Sequence, residues 1–200
     1  MPTDQKSNDS EIGSFPWHLG VYDAHCHPTD IMPNVPTIPN MKTRVLTVMA
    51  TRGQDQNLVT STADTYGIKS SDPNQWSKEE CIIPCFGWHP WFSHIMYIDD
   101  EALEGSKAQE RGSLQGDAKV LHYQAVLQPP RKDPLRDQDR QIFLSLPDPT
   151  PFSAFLTQTR RNLERYPHAL VGEIGLDRAF RIPEPWSTNE DLWSLSLIHI

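Results

Sequence analysis

The run Arg44 to Thr51, Arg-Val-Leu-Thr-Val-Met-Ala-Thr, constrains this chain more than any other stretch. It is β-branched and apolar on both faces, and such a strand is satisfied only when layers cover it on both sides, as in a parallel sheet. Two further apolar runs repeat the theme, Cys81 to Phe86 and His168 to Ile174, and a shorter one spans Gly20 to His25. Pro84 weakens the run Cys81 to Phe86 as a central strand, the third in chain order, because proline cannot donate to the ladder. Between the runs lie helical patterns. Asp55 is the expected N-cap of a helix through Leu58, Thr62 and Tyr66 that Gly67 stops. Thr150 and Pro151 are the expected N-cap and first residue of a helix whose apolar face carries Phe152, Phe155, Leu156, Leu163 and Tyr166, ended by Pro167. In chain order these give strand, strand, helix, strand, helix, strand, an α/β rhythm with a parallel sheet.

Composition limits the rest. The chain has 200 residues, 18 of them Pro, with 18 Lys plus Arg against 26 Asp plus Glu, a formal charge of −8. That balance suits solubility and argues against a generally basic nucleic-acid coat, while leaving room for a local positive groove. The three cysteines, Cys26, Cys81 and Cys85, are too few and too odd for a disulfide framework. No apolar stretch approaches the roughly 18–20 residues that cross a bilayer. These features predict an intracellular protein of the cytoplasm or nucleus. Residues 1–15 are polar and predict a disordered arm. From Asp99 to about Asp148 periodicity dissolves into acidic clusters and Pro-Pro-Arg-Lys-Asp-Pro-Leu-Arg-Asp-Gln-Asp-Arg, with one apolar island at Val120 to Leu127. This stretch, about 99–149, is read as an insertion or long lid, partly flexible.

Chemistry-bearing residues follow the apolar runs. His25 and His27 flank Cys26 on an extended segment, so the two imidazoles can share one face and bind one metal ion, with Cys26 facing away; the alternative is a pair of ordinary polar residues at a strand end. Glu173 lies within the last apolar run, in Gly172-Glu173-Ile174-Gly175-Leu176-Asp177. A lone carboxylate there costs several kcal/mol unless it meets a cation, a buried arginine or solvent. His89, in Gly87-Trp88-His89-Pro90, follows the third run directly and could face metal or substrate, or pack among Trp88, Trp91 and Phe92. His18, His94, His122 and His168 carry no such context. The cysteines lack zinc-finger spacing, and no phosphate loop, dinucleotide fingerprint or nucleophile elbow occurs.

Together, Asp-Ala-His-Cys-His-Pro, Gly-Trp-His-Pro and Gly-Glu-Ile-Gly-Leu-Asp, in this order, resemble the TatD-like family of metal-dependent hydrolases. The surrounding wording is similar to its fungal Cut-nine-interacting subgroup. The resemblance covers roughly Val21 to Trp186 apart from the insertion. It implies a (β/α)8 TIM-type barrel, of which residues 16–194 would form about the first four strands. It also implies a site at the strand C-termini holding one or two divalent cations (Mg, Mn or Zn). His25 and His27 match the first two ligands, Glu173 the bridging carboxylate and catalytic group, and His89 a residue near the site. The implied activity is that of a deoxyribonuclease using metal-activated water, with DNA as substrate. Hydrolysis of a C–N bond is a weaker possibility. The alternative implied by the subgroup is a non-catalytic partner of a tetratricopeptide subunit of a cell-cycle ubiquitin ligase, with the insertion as the suspected surface. The family draws two more histidines and an aspartate from later strands, and only 26 residues follow Ile174. The segment is therefore expected to be an inactive front half, poorly stable alone. Its last six residues, Leu195 to Ile200, are expected to be a non-native tail from a translated sequencing adapter, so His199 is not carried over as a ligand.

Overall fold

In a computed structural model the described residues are 15–99, 112–128, 134–177, 179–182 and, as backbone, 194–195. The arm up to residue 14, parts of the insertion (100–111 and 129–133) and the tail from residue 196 lie outside them.

The centre is a four-stranded, all-parallel sheet in the order β1-β2-β3-β7. These strands are Tyr22–Cys26, Val45–Met49, Ile82–Phe86 and Leu170–Val171. Helices α1 (Gly53–Tyr66) and α4 (Phe152–Arg165) complete the α/β pattern. As the double-sided apolar pattern requires, Val45, Leu46, Thr47 and Val48 are all buried. Leu46 and Val48 join Ile82, Phe86, Val59 of α1 and Val35 and Ile38 of the preceding 3-10 segment Pro28–Asn40 in one core. Fully burying side chains such as Val48, Ile82 and Phe86 contributes roughly 1.5–3 kcal/mol each. The sheet does not close among the described residues. Its edge strands β1 and β7 leave Tyr22, Leu170 and Val171 in solvent.

Pro84 sits mid-strand in β3, opposite Val48, where a missing donor would be expected to hurt. Its direction removes the cost. Residues two apart along a strand turn their polar groups to the same neighbour. The Ile82 carbonyl accepts from Ile68 and the Phe86 carbonyl from Gly172, so this parity faces the β7 side. The bonds to β2 use the other parity, at Cys81 and Cys85. Pro84 therefore points its imino nitrogen into the stretch before β7 begins.

Three expectations are corrected at element ends. The fourth strand is only two residues long, so Glu173 lies just beyond it and not inside it. Asp55 is not the N-cap of α1: Arg52 holds that position, and the Asp55 carboxylate, within the first turn, accepts the Thr51 hydroxyl. Thr150 and Pro151 do not start α4 but form a short strand, β6, parallel to β4 (Met96–Tyr97). Pro151 at the N-cap has no side-chain acceptor. The role passes to buried Asp99, which accepts from the Ser153 backbone N–H (3.1 Å) and hydroxyl. An N-cap 54 residues away in sequence leaves no local signal. Asp99→Ala is expected to cost about 1 kcal/mol or more of unfolding free energy in a urea titration; an unchanged midpoint would refute this capping role.

The stretch read as patternless contains two helices, α2 (Gly116–Val126) and α3 (Asp137–Ser145). Val120, Tyr123 and Val126 of α2 meet Phe143 of α3 and Ile182, which follows the sheet, in a second core. The buried ammonium of Lys119 ties them, donating to the Leu144 carbonyl (2.9 Å) and to Asp148 (2.7 Å). The pattern was missed because the apolar residues of α2 are spread round the helix, those of α3 come in one block at Ile142, Phe143 and Leu144, and both helices are short. Between α2 and α3 runs β5 (Leu127–Gln128), antiparallel to β8 (Ser194–Leu195).

His94 packs beside this second core. Its ring is stacked on Phe180 at 5.4 Å, and its carbonyl meets His122 Nε2 at 2.9 Å. Burial pushes the imidazole down to about 4 from an ordinary 6.5, and the neighbouring charge of His122 acts in the same direction. The unfolded chain thus binds more protons than the folded one between those values. Stability is complete above about 6.5 and falls as pH drops toward 4. Between pH 7.5 and 5, wild type should lose roughly 2 kcal/mol more in urea denaturation than His94→Phe; parallel pH slopes would contradict the assignment.

Candidate metal centre

The site is built at the C-terminal ends of β1, β3 and β7. In β1 the register with β2 shifts between Asp23 and Cys26, one extra residue being accommodated on β1. A bulge of this kind re-aims the side chains that follow it. Cys26 turns inward against the sheet core, its thiol donating to the Thr47 carbonyl. Burial raises that thiol to about 11, so it is no nucleophile. His25 and His27 turn the other way, as the spacing predicted. Their Nε2 atoms lie 3.1 Å apart.

Glu173 meets them from β7. Its Oε1 is 2.5 Å from His25 Nε2 and 3.7 Å from His27 Nε2. One donor atom from each of the three residues fits within 4.8 Å of the others. His27 Nδ1 is 3.2 Å from the Met49 carbonyl at the end of β2. That contact keeps the ring proton on Nδ1 and leaves the Nε2 lone pair facing the cluster, the arrangement metal-binding histidines use. Two nitrogen donors each roughly 2.0–2.1 Å from one cation lie about 3 Å apart, as these do.

His89 approaches the second carboxylate oxygen. Its Nε2 is 3.0 Å from Glu173 Oε2, in ion-pair range but out of line for a hydrogen bond, so Oε2 is buried without a hydrogen-bond partner. His89 Nδ1 accepts the Trp91 backbone N–H at 3.1 Å, which places any single ring proton on Nε2, toward Glu173. His89 thus positions the carboxylate and is poorly set up as a ligand. Glu173 Oε1 and the two Nε2 atoms offer a nitrogen–nitrogen–carboxylate donor set that fits a divalent cation, while Oε2, on the far side of the same buried carboxylate, has no hydrogen-bond partner.

The surrounding backbone holds Glu173 in register. Trp88 N–H donates to the Glu173 carbonyl at 2.7 Å, and His89 N–H to the Thr51 carbonyl at 2.7 Å. Buried Gln56, on α1, donates to the Gly87 carbonyl at 2.7 Å. Gly87 is required here, since a Cβ at this position would sit 2.3 Å from the Gly172 and Glu173 backbone. Sequence reading singled out His25, His27, His89 and Glu173, and the fold brings all four together. It missed Met49, Thr51 and Gln56, which act through backbone contacts or as a buried amide and leave no motif. Asp23 is outside the cluster, its carboxylate accepting the His25 backbone N–H at 3.0 Å. His18, His94, His122 and His168 are not part of the cluster either.

A parallel α/β sheet carrying a His-His-Glu cluster at its strand ends defines the class as that of a candidate metal-dependent α/β protein. Over 164 residues, 82% of this chain, it is 38% identical to Cut9-interacting protein scn1 of Schizosaccharomyces pombe, covering 41% of that protein. Over 127 residues it is 29% identical to the uncharacterized deoxyribonuclease YMR262W of Saccharomyces cerevisiae, covering 33% of it. The chain thus spans less than half the length of the curated relatives it matches. These similarities support the TatD-like family as a whole and do not single out a subgroup. No family model and no solved structure matches the chain. Among the described residues no helix is long and apolar enough to cross a membrane.

Proposed function

We propose that the full-length protein is a TatD-like, metal-dependent hydrolase that cleaves phosphodiester bonds in DNA. The observation that carries this reading is the convergence of His25 Nε2, His27 Nε2 and Glu173 Oε1 on one point. The deoxyribonuclease name of the YMR262W relative adds the substrate class. Bound here, a divalent cation (Mg, Mn or Zn) supplies Lewis acidity toward a phosphoryl oxygen and the attacking water. His25 and His27 would hold it through Nε2 and Glu173 through Oε1, with His89 beside Oε2. The four parallel strands are then the opening half of a (β/α)8 barrel, and the further ligands of the family belong to strands beyond those described. The test is a divalent-metal-dependent nuclease assay of the full-length protein against His25→Ala and Glu173→Gln. Equal rates in all three defeat the proposal.

A second reading has its own support in the Cut9-interacting name of the scn1 relative at 38% identity. In it the chain belongs to the Cut-nine-interacting subgroup and binds a tetratricopeptide subunit of a cell-cycle ubiquitin ligase without catalysis. The same variants separate the two. Glu173→Gln removes hydrolysis under the first reading and leaves association with a Cut9-type protein intact under the second.

A further inference from the structure

We propose that Trp91 and Arg52 form a nucleotide subsite beside the histidine–glutamate cluster, where a base of single-stranded DNA stacks on the indole and its phosphate pairs with the guanidinium. The proposal deepens the phosphodiesterase reading, and rests on it for the identity of the bond held nearby.

A cleft of about 570 Å³ adjoins the cluster, with Arg52, Trp91, Phe92, Asp177, Phe180 and Arg181 among its walls. Trp91 is half exposed, which is costly for so large an apolar ring unless something covers it in use. It is also held still. Its backbone N–H is tied to His89 Nδ1, its indole N–H donates to Asp177 Oδ2 at 2.8 Å, and Phe180 backs the ring at 6.1 Å with planes 28° apart. A rigid, open aromatic plate loses little entropy when a base lands on it. Its centre is 5.0 Å from the ring of His89, which itself touches Glu173.

Arg52 enters from the end of β2, one residue after the Thr51 carbonyl that anchors His89. Its guanidinium lies 4.8 Å above the Phe92 ring. Its nearest carboxylate, Asp55, is 3.8 Å away and already takes the Thr51 hydroxyl. Asp177, the carboxylate in the cleft wall, is likewise engaged through both oxygens, by the Trp91 indole and the Ala179 N–H. The cleft therefore combines an aromatic plate with guanidinium groups on a chain whose formal charge is −8. That is the combination by which single strands are gripped, bases stacking and phosphates pairing. A duplex hides its base faces and does not fit it.

The test is equilibrium binding by the full-length protein in EDTA, so that turnover plays no part. The probes are a fluorescein-labelled thymidine octanucleotide, an abasic spacer strand of the same length, and a hairpin duplex. Wild type is expected to prefer the thymidine strand to the abasic strand by about 10-fold. Trp91→Ala should abolish that preference, Trp91→Phe should keep most of it, and Arg52→Gln should weaken both strands with a smaller salt dependence. Undiminished preference in Trp91→Ala, equal loss on both strands in Trp91→Ala and Trp91→Phe alike, or tighter binding of the duplex overturns the subsite. A protein that binds in this way yet shows no metal-dependent cleavage defeats the hydrolase reading alone.

Discussion

Replacing Glu173 by Gln in the full-length protein is expected to slow metal-dependent DNA hydrolysis by roughly 1,000-fold or more, the loss of about 4 kcal/mol of transition-state stabilisation. Gln keeps the shape but removes the charge, and with it the one anionic group of the cluster that would hold a cation. His25→Ala should do nearly the same, since it deletes the donor only 2.5 Å from Glu173 Oε1. The two effects should not add, because either change dismantles one shared site. Divalent-metal content by elemental analysis should fall in parallel. His89→Gln should retain metal and lose less activity, since His89 meets only the outer oxygen. Wild-type metal content in Glu173→Gln would rule out the cluster as the binding site, whatever the rate.

Gly87→Ala should be nearly as damaging, though the residue carries no chemistry. A Cβ there would lie 2.3 Å from the Gly172 and Glu173 backbone, closer than any side chain can approach. Backbone must move, and β7 is held to β3 by few bonds, among them Gly172 N–H to the Phe86 carbonyl and Trp88 N–H to the Glu173 carbonyl. Displacing β7 costs about 1–3 kcal/mol of stability, as overpacking does. It also carries Glu173 away from His25, and a shift of 1 Å can cost about 100-fold in rate. Thermal unfolding and nuclease assay of the variant check both. A variant with the wild-type melting temperature and rate would show that the close approach is dispensable.

Much of the site was legible because its chemistry sits in short, chemically unusual words. Two histidines one residue apart, or a carboxylate in an apolar run, are conspicuous wherever they occur. The positions that hold them are not. Met49 contributes a carbonyl, Thr51 a carbonyl and a hydroxyl, and Gln56 a buried amide. None of these roles depends on a side chain that marks a motif. In the same way α4 draws its cap from Asp99, and α2 and α3 gain stability from a shared core that includes Ile182.

Sequence alone determined the α/β class, through runs apolar on both faces, and singled out His25, His27, His89 and Glu173, which the fold brings together. It determined them because burial pattern and ligand chemistry are properties of single residues and their immediate spacing. Only the tertiary structure decided that Glu173 stands beyond its strand and opposite His25, 148 positions away in number (173 against 25). It also decided that Pro84 fits a central strand, and that a half-exposed Trp91 shares a cleft with Arg52. Those outcomes depend on which backbone lies alongside which, and side-chain patterning within one segment does not specify that.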